Sequence, residues 1–325
     1  MDARERIDVA GGSDARPTTM AARTAPSHWR TRPANEKGDV MRRMWAAGAA
    51  IVVCFALGGL PTAGQEASDE SSTTPEAATG STTIGFTNFY QDQGFFSDIE
   101  TGAREAATAA GAELLVETAW ASVDTQASQV TAFIEQGVDA IVSVPIDPDA
   151  IEPAVVAANA AGIPVLAVDG AASGGTVASV IASDNVATGR MAAEALFEAM
   201  GGGGKVIEIQ GDQAVSSGSL RSEGFGEALD AAPDVALVAQ VAAGFDYNLA
   251  YRGTMEALAA DPDIGGVFAA NLDMLYGAVE GVAAAGRQGQ VHVAGVDVDP
   301  DILGMVGDGS IDATVAQQPR LMGQK

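Results

Sequence analysis

The sequence predicts an α/β fold of two lobes, each built on a parallel sheet, and three observations carry this prediction. The chain has 325 residues, which allows about two domains. From residue 83 onward, short apolar runs alternate with Ala-rich amphipathic stretches, as in parallel sheets with crossover helices. Several apolar runs are continuous rather than alternating, which is typical of strands buried on both faces.

The predicted elements follow one another in the order strand, then helix, along most of the chain. The predicted strands are 84–88, 113–117, 140–144, 164–168, 177–182, 206–210, 236–241, 266–270, 291–296 and 313–316. The predicted helices are 97–110, 124–136, 149–161, 188–200, 220–231, 247–260 and 274–285. Several of these helices are followed by glycine, where a left-handed residue ends a helix at little cost.

A polar stretch at 182–185 is the predicted boundary between the two lobes. It divides the chain into an N-terminal lobe, 83–183, and a C-terminal lobe, 184–317, joined by a hinge. A second crossing is predicted near 317–319. Residues 318–325 would then start a return segment to the first lobe.

The composition argues against several classes of function. Hydrophobic residues make up 47% and charged residues 18% of the chain, so it can bury a core. The net charge of −26 repels nucleic acid and anionic membrane surfaces. One Cys and two His leave little for disulfides, zinc sites or thiol catalysis. We therefore expect no metal, no cofactor and no nucleic-acid partner.

The N-terminal part has the organisation of an exported protein. Residues 1–40 are predicted to be disordered or untranslated, and 41–63 have the cationic start, apolar run and small-residue end of a signal peptide. A membrane span is the alternative, although the run is short and interrupted by glycine. Cys54 lies within the run, not at its end, which disfavours a lipid anchor. Residues 64–82 are predicted to be a disordered tether.

Polar side chains stand at the carboxyl ends of predicted strands, where ligands bind in open parallel sheets. The four that end a strand directly are Asp169, Asn271, Asp297 and Gln317. Arg221 and Phe245 follow strands across loops, and a stretch dense in aromatic and amide side chains, 88–96, follows the first strand. Each polar residue could instead be the N-cap of the next helix, and the aromatic residues could belong to the core.

This set of side chains suits a sugar or a polyol. Planar Asp, Asn, Gln and Arg groups can bridge neighbouring hydroxyls, and aromatic rings can cover the C–H face. A buried hydroxyl without a partner costs about 1–3 kcal/mol, so a closed site needs several such groups.

Two other motifs are weaker. Gly201–Gly204 before Lys205 lacks the Ser or Thr of a phosphate-binding loop and stands between helix and strand, so a turn is predicted. Asp297, Asp299 and Asp301 have a calcium-loop rhythm, but Ile302 replaces the required glycine. Capping of a helix by Asp299 explains this pattern better.

From residue 82 to the end, the chain resembles the periplasmic sugar-binding proteins of ABC transporters, specifically the ribose-binding type (a type I periplasmic binding protein). The motifs that carry the resemblance are Gly94-Phe95-Phe96, 161–165 with Asp169, Ser183-Asp184-Asn185, Gln210-Gly211, Arg221 before Gly224-Phe225, 267–270 with Asn271, Gly295-Val296-Asp297 and 314–317. Repressor cores share the fold but carry a helix-turn-helix where this chain has an export signal.

The resemblance implies roles for these residues. Phe95 and Phe96 would sandwich a sugar ring with Phe245. The residues expected to bind hydroxyls are Asp169, Arg221, Asn271, Asp297 and Gln317, with Gln93 at a position where the family often has Asn. Gly170 stands where the ribose-type pattern has Arg, so a sugar other than ribose is expected. The chain also ends where the family continues, so a shortened return segment is expected.

The function expected from these observations is delivery of a monosaccharide or polyol to the permease of an ABC transporter. The protein would be a monomer located in the periplasm, cell envelope or extracellular space. A sugar or autoinducer sensor that acts on a chemoreceptor or kinase is the alternative. An enzyme is disfavoured, because the loop after the first strand lacks a dinucleotide-binding pattern.

Overall fold

The computed structural model describes residues 52–54, 81–90 and 94–325. The predicted extension 1–40 lies outside the described residues. So do most of the predicted signal peptide and tether. Within the described part, helices and strands alternate and form two separate parallel sheets. The predicted α/β fold class is therefore confirmed.

The first sheet is formed by strands from the N-terminal part of the chain, in the order β3-β2-β4-β5-β6. Its strands are β2 (Thr83–Asn88), β3 (Glu113–Thr118), β4 (Ala140–Ser143), β5 (Val165–Val168) and β6 (Val177–Ile181). Its helices are α1 (Gly94–Ala110), α2 (Val123–Gln136) and α3 (Pro148–Ala160). All of its strand pairs are parallel, so their carboxyl ends share one edge.

The second sheet has the order β1-β11-β10-β9-β7-β8 and is also parallel. Its strands are β1 (Val52–Cys54), β7 (Gly204–Gln210), β8 (Val235–Ala242), β9 (Ile264–Ala269), β10 (His292–Val296) and β11 (Ala313–Ala316). The helices of this part are α4 (Asn185–Ala199), α5 (Ser216–Ala231), α6 (Tyr247–Ala260), α7 (Leu272–Ala284) and α8 (Pro300–Asp308). No strand was predicted at β1, which pairs with β11.

Side-chain caps explain where several helices begin. Asp184, Asp246 and Asp299 each accept a hydrogen bond from the backbone two or three residues into the helix that follows. Such a cap satisfies one of the free N–H groups of the first turn and stabilises a helix by about 1 kcal/mol. The predicted capping role of Asp299 is confirmed.

The last helix, α9 (Pro319–Gln324), lies against α1 beside the first sheet. Met322 is buried there, and Arg320 and Gln324 both donate hydrogen bonds to the Glu105 carboxylate. The chain therefore leaves the first sheet after β6 and returns to its side after β11. Within the described residues, no helix is both long and apolar enough to cross a bilayer.

Close packing of α4 against α5 leads to the first testable prediction. A Cβ atom on Gly224 would overlap the carbonyl oxygen of Val186, whereas one on Gly226, two residues along the same helix, would meet no atom within 4 Å. We expect Gly224→Ala to lower the free energy of unfolding by about 1–3 kcal/mol. Gly226→Ala should leave it unchanged or raise it by up to about 1 kcal/mol. Urea denaturation of both variants measures the difference, and equal stabilities would contradict the packing.

Candidate functional site

Predicted site residues from both sheets meet at the carboxyl edges of the strands. Asp169 follows β5 of the first sheet, and Asp297 follows β10 of the second. Arg221 stands on α5, with its side chain buried among the ends of the second sheet. The charges of Arg221 and Asp297 both act on the Asp169 carboxyl. The gap between the two sheets therefore brings together three ionisable groups that are far apart in sequence.

Asp169 is held in an unusual state. Its backbone adopts a left-handed φ of 69°, and its N–H donates to the Ile181 carbonyl at 2.9 Å. Its Oδ1 is buried and has no hydrogen-bond partner among the described residues. Burial raises the pKa of this carboxyl to about 6, with Asp297 adding to the rise and Arg221 opposing it. A buried acceptor without a partner favours a ligand that donates a hydrogen bond.

Arg221 is almost completely buried and is fixed from two sides. Its Nε donates to Asn185 Oδ1 at 2.9 Å, and one terminal nitrogen donates to the Ala270 carbonyl at 2.7 Å. Asn185 is the first residue of α4 and is itself buried. The guanidinium is therefore pre-oriented, which lowers the entropy cost of binding to it.

Asp297 and Gln317 form a chain of hydrogen bonds that reaches the segment between the sheets. Gln317 Nε2 donates to Asp297 Oδ1 at 2.6 Å, and Ser183 Oγ donates to Gln317 Oε1 at 2.8 Å. The second carboxylate oxygen of Asp297 accepts from the backbone N–H of Leu272. Gln317 thus connects a site carboxylate to Ser183, at the predicted lobe boundary.

Asn271 and Phe245 lie at two further strand ends of the second sheet. Asn271 Oδ1 accepts from the Met274 backbone N–H at 3.0 Å, so this residue is the N-cap of α7. Phe245 follows β8 with a left-handed φ of 68°, and its ring lies close to Gly211. The alternative capping role of Asn271 is therefore realised, and its amide group remains available for a ligand contact.

Backbone strain is concentrated around this gap. Five described residues other than glycine have positive φ, and three of them are Asp169, Phe245 and Asp297. Such conformations cost about 1–3 kcal/mol each and persist where the surroundings enforce them, often at binding sites. The strain supports the interpretation of this gap as the functional site.

The aromatic residues at the start of α1 lie on the first-sheet side. Phe96 stacks on Phe89 at 4.9 Å between ring centroids, and Phe95 contacts Phe96 edge to face at 5.3 Å. Asn88 Nδ2 donates to the Phe96 carbonyl at 3.1 Å and ties the start of the helix to the end of β2. All three rings are partly exposed. Gln93, the remaining predicted site residue, lies outside the described residues.

The weaker motifs have structural explanations. Lys205 Nζ contacts Asp261 and Asp263 at 2.7 and 3.3 Å, and the preceding glycines form the turn between α4 and β7. Asp299 accepts hydrogen bonds from Tyr276 and from the α8 backbone. Over the described residues, no group of three or more His, Cys, Asp or Glu side chains is arranged to hold a metal ion.

The sequence model of a protein family, the periplasmic binding protein domain, matches residues 84–325 of this chain. The chain belongs to the periplasmic binding protein family. The predicted resemblance is confirmed by similar proteins as well. One is the ribose import binding protein of Bacillus subtilis, which is 36% identical over 242 residues, covering 74% of this chain and 78% of that protein.

Solved structures of the periplasmic binding protein family match both lobes. A periplasmic solute-binding protein of an ABC transporter from Actinobacillus succinogenes, with bound D-allose, has a TM-score of 0.69 and 31% identity, and the match covers 74% of this chain and 87% of that one. An ABC transporter solute-binding protein from Mycobacterium smegmatis, with bound glycerol, has a TM-score of 0.68 and 32% identity. This match covers 75% of this chain and 85% of that one. These likenesses confirm the two-lobe architecture.

Two residues of this site were not predicted as part of it from the sequence. Asn185 orients Arg221, and Ser183 is bonded to Gln317. Both belong to the polar stretch at the predicted lobe boundary and to the Ser183-Asp184-Asn185 motif of the family resemblance, and neither signal indicated a role in the site. Their contacts cross 36 and 134 residues of sequence, so no local pattern could have revealed them.

Proposed function

We propose that the protein is an exported solute-binding component of an ABC transporter that closes on one monosaccharide or polyol and delivers it to the permease. The residues proposed to bind the ligand are Gln93, Phe95, Phe96, Asp169, Arg221, Phe245, Asn271, Asp297 and Gln317. Closure requires only that the ligand binds the closed form better than the open form. The protein would act through its closed, ligand-bound form and not through a chemical reaction.

The observation that carries this proposal is the buried and unpaired Oδ1 of Asp169 beside Arg221 and Asp297. A neutral ligand with neighbouring hydroxyls can donate to the carboxylates and accept from the guanidinium at the same time. An anionic ligand would face two carboxylates and only one guanidinium. The charge at the gap therefore favours a neutral polyhydroxylated molecule.

Space beside Asp169 supports a ligand other than ribose. Apart from its two chain neighbours, a Cβ atom on Gly170 would meet no atom within 4 Å, so the residue after Asp169 stands beside open space. The related structures contain D-allose and glycerol, and both molecules offer neighbouring hydroxyls. We infer that the site takes a hexose, a polyol or a pentose different from ribose.

The competing proposal is a sensor in which the closed form binds a chemoreceptor or kinase. It uses the same ligand site, so its ligand chemistry is identical. It differs in partner only, and the names of the similar proteins favour transport. Binding of the liganded protein to the membrane permease or to a receptor domain would distinguish the two.

The experiment that tests the ligand class is a thermal-shift titration of the full chain with pentoses, hexoses, glycerol, xylitol and myo-inositol. We expect at least one of them to raise the melting temperature, because a ligand that binds only the folded state stabilises it by mass action. Isothermal titration calorimetry would then give its affinity. If no sugar or polyol raised the melting temperature at millimolar concentration, the proposed function would be wrong.

A further inference from the structure

Five aromatic side chains form a continuous row from the candidate site to the surface. From the inside outward, the aromatic row contains Phe95, Phe96, Phe89, Tyr90 and Trp120. Beyond the stacked inner rings, Tyr90 lies 5.2 Å from Phe89 and 6.2 Å from Trp120, measured between ring centroids. The proposed inner ligand site uses only the first two members. The outer end of the row is left without a role.

Trp120 is held in an exposed position at a cost in stability. About half of its surface, 52%, is open to solvent. Trp120 and Ala121 are the two remaining described residues other than glycine with positive φ, at 52° and 56°. Neither residue type favours this conformation, and each such residue costs about 1–3 kcal/mol. Strain that presents a large apolar ring to water indicates a binding role more readily than a packing role.

Hydrogen bonds fix the backbone on both sides of Trp120. The N–H of Ala119 donates to the Asn88 carbonyl at 2.8 Å, and that of Ala121 donates to the Phe89 carbonyl at 3.3 Å. Ser122 then caps α2 by accepting from the Thr125 N–H. The loop is therefore tied to the end of β2 and to the following helix. A ring carried on a fixed backbone loses less conformational entropy when a ligand stacks on it than one on a free loop.

Along the edge of the first sheet, Trp120 lies farther from the inner site than the width of one sugar ring. Trp120 follows β3 and Asp169 follows β5, and the order β3-β2-β4-β5 places three strand spacings between their strands. At about 4.8 Å per spacing, the separation along the edge is about 14 Å. Both lie at the carboxyl edge of the same sheet. A ligand that reached both would need a second ring.

We propose that Trp120 and Tyr90 form an outer subsite for a ring attached to the sugar that occupies the inner site. This inference rests on the proposed function. The attached ring is a second sugar or an aromatic aglycone, since both present a flat C–H or π face that stacks on an indole. The protein therefore binds a glycoside or a disaccharide in preference to the free monosaccharide.

A small ring fits this surface better than a protein partner does. A stable protein interface buries about 800 Å² on each partner and centres on a cluster of anchoring side chains. Here the exposed apolar part is one indole, a partly buried tyrosine and the small side chains of Ala121 and Val123, and the neighbours Thr118 and Ser122 are polar. The row is also continuous with the rings of the inner site, which makes one extended ligand the simplest occupant.

The experiment uses the full chain with Trp29→Phe and Trp45→Phe, which leaves Trp120 as the only tryptophan. The probes are D-ribose, D-xylose, D-allose, D-glucose and D-galactose, the methyl and phenyl β-glycosides of each, and the disaccharides xylobiose, cellobiose and lactose. We expect a phenyl glycoside or a disaccharide to bind at least about tenfold more tightly than the matching methyl glycoside. The same ligand should shift the emission of Trp120 to shorter wavelength. Which of the two arms responds identifies the attached ring.

Variants of the indole test its contribution. Trp120→Ala should reduce the advantage of the ring-bearing ligand over the matching methyl glycoside to about twofold or less. Trp120→Phe should keep most of this advantage, because a ring remains. Val156→Ala, at an exposed apolar residue on α3, should leave the advantage unchanged. If a free sugar binds but ring-bearing ligands have no advantage, or if the advantage survives in Trp120→Ala, the outer subsite is wrong and the proposed function stands. If no probe binds at all, the outer subsite is wrong, and the polyols of the thermal-shift panel then decide the proposed function.

Discussion

Replacing Asp169 with asparagine is expected to abolish ligand binding and, at the same time, to stabilise the unliganded protein above pH 6. Asparagine keeps the size of the side chain and tolerates the left-handed backbone. It replaces the charged carboxylate, however, with a neutral amide whose NH2 group donates and cannot accept a hydrogen bond from a hydroxyl. We expect the affinity for the best sugar of the panel to fall at least about 100-fold.

The expected gain in stability follows from the raised pKa of Asp169. Because the folded state holds this carboxyl at a pKa of about 6, above the ordinary value of 3.8, the charged form is disfavoured by folding. The cost is fully present above pH 6, decreases as the pH falls through 6 and vanishes near the ordinary value. Asp169→Asn removes it, so the free energy of unfolding should rise by about 3 kcal/mol at pH 8 and by little at pH 4.

Glu208 provides the matched control for this variant. It is buried within β7, its pKa is also raised by burial, and its Oε2 accepts from Gln210 and Gln240. In contrast to Asp169→Asn, Glu208→Gln should not weaken ligand binding, because this carboxylate is not part of the proposed site. Urea denaturation at pH 8 and pH 4, with calorimetric titration, measures all of these quantities. Retained binding in Asp169→Asn would contradict the site assignment.

The raised pKa of Asp169 also predicts how the ligand affinity of the wild-type protein depends on pH. Sugar hydroxyls donate to the charged carboxylate, so the ligand favours the deprotonated form of Asp169. The affinity should be constant above pH 6 and fall by up to about tenfold per pH unit below it. The free energy of unfolding of the unliganded protein, measured in urea, should instead rise as the pH falls below 6.

Most of the fold could be predicted from the sequence, because strands buried on both faces are continuous apolar runs. All ten predicted strands exist, with ends that differ by one or two residues, as β7 shows by beginning at Gly204 instead of Val206. The start of α1 at Gly94 was placed three residues late, since Gly-Phe-Phe has no helical signal. Strand β1 lies inside a longer apolar run, where no local pattern separates a strand from its neighbours.

The candidate site was partly visible in the sequence for a geometric reason. In a parallel sheet, a residue directly after a strand lies at the carboxyl edge, so Asp169 and Asp297 could be placed from local sequence alone. The orientation of Arg221 and the bond between Ser183 and Gln317 depend on contacts between distant segments. Trp120 also escaped prediction, because positive φ at tryptophan has no signature in the sequence.

Replacing Arg221 with lysine should remove binding as Asp169→Asn does but should change stability in the opposite direction. Lysine is a point charge and cannot reproduce the two directed hydrogen bonds to Asn185 and to the Ala270 carbonyl. At least one of these two acceptors would stay buried without a partner. We expect the free energy of unfolding to fall by about 2–4 kcal/mol and the affinity to fall at least about 100-fold.

Arg190→Lys is the matched control, since Arg190 is exposed on α4 and forms ion pairs with Glu194 and Glu227. Exposed pairs contribute little, so its stability should change by less than about 1 kcal/mol. The neutral variant Arg221→Gln, alone and combined with Asp169→Asn, then measures the coupling between the two lobes. Because the Arg221 charge offsets part of the cost of the Asp169 charge, the loss of stability caused by Arg221→Gln should be smaller in the Asp169→Asn background. Equal losses in both backgrounds would mean that the guanidinium and the carboxylate do not interact across the gap.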